Sequence, residues 1–239
     1  FVDVETTRAL FEALVPLNIS WSCQVSIDIA RDPDLVQLMR RSGCISALIG
    51  FESLDIDSLR ELKKHWNTKW QSYDDAIRVF RNAGIMLYGT FVFGCDNDTV
   101  SSFDRSVEFA LRNKFLLANF NPLTPTPGAP LFDQMKKEGR LLHDRWWLDS
   151  DFGYGDATFE PRGMSASELT AGCFAARKKF NTANSIVRRM FDVRANLRSP
   201  YRAGIYLAAN LLSRREIHRK QGRRLGSAGY QAMHPEPSP

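Results

Sequence analysis

The sequence predicts an α/β protein built on part of a parallel βα barrel and followed by a mostly helical extension. Three observations carry that expectation. A strand-like run, ALIGFES at Ala47–Ser53, ends in Gly and then a carboxylate. A second run, MLYGTFVFG at Met86–Gly94, is bracketed by Gly. A third, FLLANFNPLTPTPGAPL at Phe115–Leu131, passes into a Pro-rich loop. Helix patterns separate these runs, and such alternation implies parallel strands with right-handed crossovers. Gly, polar and Pro residues at strand C-terminal ends are how barrels of this kind shape ligand-facing loops.

Taken in order, Thr6–Leu17 reads as a helix, with Leu10, Leu14 and Leu17 at helical spacing. Ser22–Ile29 alternates Cys23, Val25, Ile27 and Ile29 with Gln24, Ser26 and Asp28, which predicts a strand with one polar face. Asp32 and Pro33 are a cap and a first-turn Pro for a helix that stops at Gly43. Ile45–Phe51 is apolar enough to predict a strand buried on both faces. Helices at Asp57–Lys64 and Tyr73–Asn82 flank a linker at His65–Gln71. Then come a strand at Ile85–Phe93, a helix at Ser101–Arg112, a strand at Phe115–Phe120 and a short helix at Leu131–Glu138. After Leu142 the pattern changes. Trp146–Glu160 is aromatic and Gly-rich, and Ser165 with Glu168 forms a capping box for a helix reaching Phe180. Helices near Ile186–Val193 and Tyr201–Lys220 follow. The expected divisions are a partial barrel at 1–142, a helical extension at 143–221 and a disordered tail at 222–239.

The 239 residues are 44% hydrophobic and 25% charged, as expected of a globular protein able to bury a core. No apolar run reaches the roughly 18 residues of a spanning helix, and no signal peptide is visible. A cytoplasmic protein is the expectation. The chain opens at Phe1 without an initiator Met, so a longer parent protein is expected. Cys23, Cys44, Cys95 and Cys173 are scattered and read as free thiols, not as a zinc site. From Ile186 to Arg224, eleven Lys/Arg face two acids. That basic stretch reads as a solvated helix face, with a nucleic-acid or membrane surface as the alternative.

Several residues could carry chemistry. Glu52 and Ser53 lie just past a strand end, where a carboxylate either accepts bonds from a ligand or caps a helix. Gly89, Phe91, Phe93 and Gly94 form GxFxFG, and Gly inside a strand marks close approach of a ligand or a tight bend. The loop Asn121–Pro130 is pre-ordered by its prolines and suits a binding-site wall or a rigid connection. Gln24, Ser26 and Asp28 share one face and contact either a ligand or one another. The four His residues pair with no Ser, Cys or acid in any hydrolase or HExxH pattern.

Together, WSCQVSIDIARDPDLVQLMRRSGC, ALIGFES, YGTFVFG and PLTPTPGAPLFDQMKKEGRL resemble the radical S-adenosylmethionine (radical SAM) superfamily, in its cobalamin-associated branch. The resemblance covers about residues 1–142, and the stretch from Trp146 looks like a helical extension found in such proteins. It implies a partial (β/α)6 barrel of TIM-like form. It implies that Glu52 and Ser53 contact the methionine or ribose part of S-adenosylmethionine. Gly89, Phe91 and Gly94 would line the adenine side, Leu123 would offer a backbone contact to adenine, and Gln24 and Ser26 would face substrate or cofactor. The family binds a [4Fe–4S] cluster through CxxxCxxC, which this chain lacks, so the ligands are expected outside it. Cobalamin would need a further domain, also outside the chain. The implied activity is radical cleavage of S-adenosylmethionine, with C-methylation of a lipid or natural product as one outcome. A small-molecule or lipid substrate and a reductant such as flavodoxin or ferredoxin are the implied partners, with no metal held by this chain. An RNA-modifying enzyme and a non-catalytic scaffold are the alternatives.

Overall fold

The computed structural model describes residues 3–63, 73–149 and 151–224. The expected linker at His65–Gln71 lies outside the described residues, as does the tail from residue 225. Asp3 starts the fold by accepting the Glu5 and Thr6 amides, and α1 (Val4–Leu14) follows. Then come β1 (Trp21–Gln24), α2 (Pro33–Arg41), β2 (Cys44–Glu52), α3 (Ile56–Glu61), α4 (Tyr73–Ala83) and β3 (Met86–Phe93). They are followed by α5 (Val100–Arg112), β4 (Leu117–Pro122), α6 (Pro130–Lys137), α7 (Ala166–Phe180), α8 (Ala183–Met190) and α9 (Pro200–Lys220). The strands are all parallel and lie in the order β1-β2-β3-β4.

Local chemistry sets most of the boundaries. Asp32 caps α2 through the Leu35 amide, with Pro33 in the first turn. Gly43, Gly84 and Gly139 end α2, α4 and α6 at φ of 105°, 81° and 66°, a conformation that glycine adopts without strain. Ser165 and Glu168 form the expected reciprocal box at the start of α7. One expected element is cut short. The strand forecast over Ser22–Ile29 stops at Gln24, and Ile27–Arg31 is a 3₁₀ turn. Ser26 Oγ takes the Asp28 amide and the Ser26 carbonyl takes the Ile29 amide, so the chain curls out of the sheet. The alternating Ile27 and Ile29 are buried all the same, because the turn packs on α4.

The sheet has two unlike faces. Ala47, Ile49, Phe51, Leu87, Phe91, Phe93 and Phe120 point into the helix layer and are buried. Phe51 stacks on Phe91 at 5.7 Å, and Phe91 on Phe120 at 5.4 Å. The other face carries Ser22, Gln24, Ser46, Gly50, Tyr88, Thr90, Asn119 and Asn121, all half-buried or exposed. β2 is therefore buried on one face, not both. A polar face on parallel strands needs a polar neighbour, since parallel sheets are normally covered on both sides.

The core continues past Leu142. Phe159, Met164, Leu169, Cys173 and Phe180 join the cluster that the strands build. α7 runs beside β4, and Arg177 Nε donates to the Phe120 carbonyl at 2.9 Å. α8 and α9 lie at the N-terminal ends of the strands. There the basic stretch departs from a solvated face, because Arg189 and Arg202 are buried at 1% and 2% exposure. Arg189 donates to the carbonyls of Phe115, Leu116 and Phe180, to Ser185 and to Asn210. Its guanidinium lies 3.8 Å from the Phe180 ring centroid. Arg202 donates to the carbonyls of Gly84 and Ile45. These arginines satisfy helix-end and strand-start carbonyls that would otherwise be buried without donors.

Candidate active site

A cleft of about 810 Å³ opens where β1 and β2 end. Gln24, Ser26, Asp28 and Arg31 line one side, and Gly50 and Glu52 the other. The walls come from local backbone choices. The curl after β1 turns Ser26 and Asp28 toward the cleft. On β2 the pairing with β3 slips between Gly50 and Glu52, leaving Phe51 as an extra residue. Phe51 stays in the aromatic core, and Glu52 adopts a left-handed conformation at φ 62°. A non-glycine residue in that region marks strain that functional sites often hold. The Glu52 carboxylate folds back over Gly50, where a Cβ would overlap it, and Thr90 Oγ1 lies close by. Gly50 thus leaves the Glu52 carboxylate room to lie over the strand.

Of the residues expected from sequence, Gln24, Ser26 and Glu52 meet at this cleft. Ser53 turns away. It is buried, and its Oγ accepts the Asp55 amide ahead of α3. Gly89 faces the helix layer, where a Cβ would lie 2.5 Å from Phe115 Cε2. Phe91 sits in the aromatic stack. Gly94, at φ 108°, makes the turn after β3 and leaves room for Leu169 and Phe159. Its amide and that of Cys95 donate to the buried Asp98 carboxylate at 3.0 and 3.1 Å. Leu123 is half-buried, and its amide donates to the Phe93 carbonyl at 2.7 Å.

The residues that sequence reading passed over are the alternate members of the same strands. Tyr88 and Thr90 on β3, with Asn119 and Asn121 on β4, lie on the polar face. Burial raises the Tyr88 phenol above its ordinary pKa, while its bond to Asn119 lowers it. A smaller cavity of about 240 Å³ joins Tyr88, Asn119 and Asn121 to Arg177 and α9. Tyr88 and Thr90 are the polar half of YGTFVFG, at the opposite parity to its Gly89 and Phe91.

Around the loop after β3, burial pushes the Asp98 and Glu61 carboxyls up. Burial raises the thiols of Cys95 and Cys173 as well, the latter to about 12, so these are inert thiols and not nucleophiles. Among the described residues, no three His, Cys, Asp or Glu side chains converge as a metal site. No helix among them is long and apolar enough to cross a membrane.

No protein-family model matches the chain. Comparison with curated proteins is more informative. The chain is 30% identical over 181 residues to the bacteriochlorophyllide d C-12(1)-methyltransferase of Chlorobaculum tepidum, covering 76% of this chain and 38% of that protein. It is 28% identical over 127 residues to the hopanoid C-2 methylase of Rhodopseudomonas palustris, covering 53% and 24%. Over these spans the chain is similar to methyltransferases, in line with the radical SAM resemblance of its sequence motifs. A solved radical SAM methyltransferase, TsrM from Kitasatospora setae with cobalamin and a [4Fe–4S] cluster bound, overlaps with a TM-score of 0.49 at 15% identity. That overlap covers 71% of this chain and 33% of TsrM. The chain spans well under half the length of these curated relatives.

Proposed function

We propose that this chain is the part of a radical SAM C-methyltransferase that holds S-adenosylmethionine. In this reading β1–β4 are consecutive strands of a partial (β/α)6 barrel at 1–142. Residues 143–221 form an extension whose α7 runs beside β4 and whose α8 and α9 close the N-terminal ends of the strands. The observation that carries the proposal is the Glu52 carboxylate folded over Gly50, facing Gln24 and Ser26 across a cleft at parallel strand ends.

That donor set fits the cofactor. A carboxylate suits an ammonium or a pair of ribose hydroxyls, and amide and hydroxyl groups can bond the remaining polar atoms. Glu52, Gln24 and Ser26 are therefore the proposed contacts, with Gly50 giving the carboxylate its path and Thr90 beside it. Ser53, Gly89, Phe91, Gly94 and Leu123 do not line this cleft. Bound there, S-adenosylmethionine supplies the radical or the methyl group. The chain's four cysteines do not fit an iron–sulfur cluster, since no CxxxCxxC occurs and no three metal-binding groups converge among the described residues. The cluster ligands are assigned outside this chain, as is any cobalamin domain, and a flavodoxin or ferredoxin is the proposed reductant. The names of the relatives favour a large apolar substrate such as a chlorin or a polycyclic lipid.

The test is binding of S-adenosylmethionine by the native polypeptide that carries this chain, measured by equilibrium dialysis. Glu52→Gln keeps the shape and loses the charge. Loss of one charge-assisted bond, about 1.5–3 kcal/mol, predicts a roughly 10- to 100-fold weaker affinity. Unchanged affinity in Glu52→Gln and Glu52→Ala would remove this carboxylate from the cofactor site.

A further inference from the structure

The helix α9 is built inside out. Its fully buried positions are Arg202, Tyr206 and Asn210, spaced four apart and all polar. Arg202 reaches the carbonyls of Gly84 and Ile45, Tyr206 donates to the Ile186 carbonyl, and Asn210 donates to the Leu116 carbonyl. Ile205 and Ala209 pack inward beside them, yet the outward face also carries large apolar residues. Tyr201, Leu211 and Leu212 are each 61% exposed and Leu207 is 37% exposed. A helix that packs only on its own protein shows the reverse pattern. Leu207 and Leu211 are one turn apart, and Arg214 and Arg215 are one further turn along the same face.

Charge distinguishes the candidate occupants. From Arg214 to Arg224 there are six Lys/Arg and one acid, Glu216. Glu216 pairs with Arg219 and Lys220, while Arg214 and Arg215 are exposed and form no ion pair among the described residues. An aliphatic stripe that ends in uncompensated arginines matches the interface of an anionic lipid layer, with leucines in the acyl boundary and guanidinium groups among the headgroups. RNA would use the arginines but offers nothing to the leucines. We propose that α9 is a lipid-surface contact through Leu207, Leu211, Leu212, Arg214 and Arg215. This surface does not depend on the cofactor reading. It would bring the barrel to the phase in which an apolar substrate dissolves.

The experiment is co-sedimentation of the native polypeptide with phosphatidylcholine vesicles, with and without phosphatidylglycerol. Binding is expected to the anionic vesicles and to weaken with added salt. Leu207→Glu with Leu211→Glu should weaken it at least ~10-fold, because two apolar side chains no longer enter the bilayer. Arg214→Ala with Arg215→Ala should weaken it about 25-fold on anionic vesicles, since each cation near such a surface contributes about fivefold, and should leave neutral vesicles unaffected. All four side chains are exposed, so circular dichroism and the melting temperature should not change. The proposal is overturned if the double Leu variant binds vesicles as the parent does. It is also overturned if the parent ignores vesicles, whether the same leucines then mediate self-association, contact with the rest of the polypeptide, or nothing.

Discussion

Arg189→Met keeps most of a buried volume and removes every donor from it. Arg189 reaches five acceptors from α8, at 2.7 to 3.1 Å. Two of them have substitutes, since Leu116 O also takes Asn210 Nδ2 and Phe180 O also takes Ser185 Oγ. The loss therefore falls on Phe115 O, on the Asn210 side-chain oxygen and, least, on Ser185 Oγ, which keeps its own donation to Phe180 O. A buried acceptor without a donor costs about 1–3 kcal/mol. Removing a cation that burial has pushed down to about 10 returns part of that. A net loss of about 2–4 kcal/mol follows, a large share of the roughly 5–15 kcal/mol typical of a folded protein. Arg189→Lys should do no better, because one compact ammonium cannot span the separated carbonyls that a planar fork reaches. Urea melts of the native polypeptide followed by circular dichroism give the difference from the midpoint shift at unchanged slope. A shift equivalent to less than about 1 kcal/mol in Arg189→Met would refute the idea that this guanidinium holds α8 and α9 to the strands.

Other perturbations follow from the same geometry. Gly50→Ala places a methyl where the end of the Glu52 side chain lies, so the carboxylate must shift; S-adenosylmethionine affinity should fall, by less than in Glu52→Ala, with the melting temperature nearly unchanged. Gly89→Ala puts a methyl 2.5 Å from Phe115 and should cost about 1–3 kcal/mol of stability, with cofactor affinity retained below the melting transition. Asp98→Asn keeps an oxygen for the Gly94 and Cys95 amides and removes a buried charge. Burial raises the folded pKa of Asp98 above its ordinary 3.8, so the folded state holds the proton to higher pH. The contribution of Asp98 to stability is then greatest below that value and declines as pH rises through the folded pKa. Asp98→Asn should flatten this decline in melts taken across the acid range, and an unaltered pH profile would count against it.

Much of the scaffold was legible because its signals are local. Asp32 with Pro33, Ser165 with Glu168, and the glycines at 43, 84 and 139 each act within one turn of chain, and each does what its chemistry dictates. The site was legible only in part. Glu52, Gln24 and Ser26 do line one cleft, but the β1 strand is shorter than the pattern predicts, because Val25, Ile27 and Ile29 alternate in a segment that a serine bends into a turn. The choice of Gly89 and Phe91 over Tyr88 and Thr90 was a matter of parity, and which side of a strand meets helices is decided by distant packing partners such as Phe115. The buried arginines were not legible at all. Nothing in IVRRMFDVR separates Arg189 from Arg188, and only the strand-start carbonyls waiting at Phe115 and Leu116 make the difference.

The seam between α8, α9 and the strands has a thermal consequence. The helix layer against the sheet is closed by stacked phenylalanines, whose exposure on unfolding raises heat capacity. The seam is closed by arginine, asparagine and tyrosine on carbonyls, and exposure of polar surface lowers heat capacity. The stability of the aromatic half is therefore sharply curved in temperature and that of the seam is flatter. Cooling therefore weakens the phenylalanine contacts of the helix layer more than the arginine-to-carbonyl bonds of the seam.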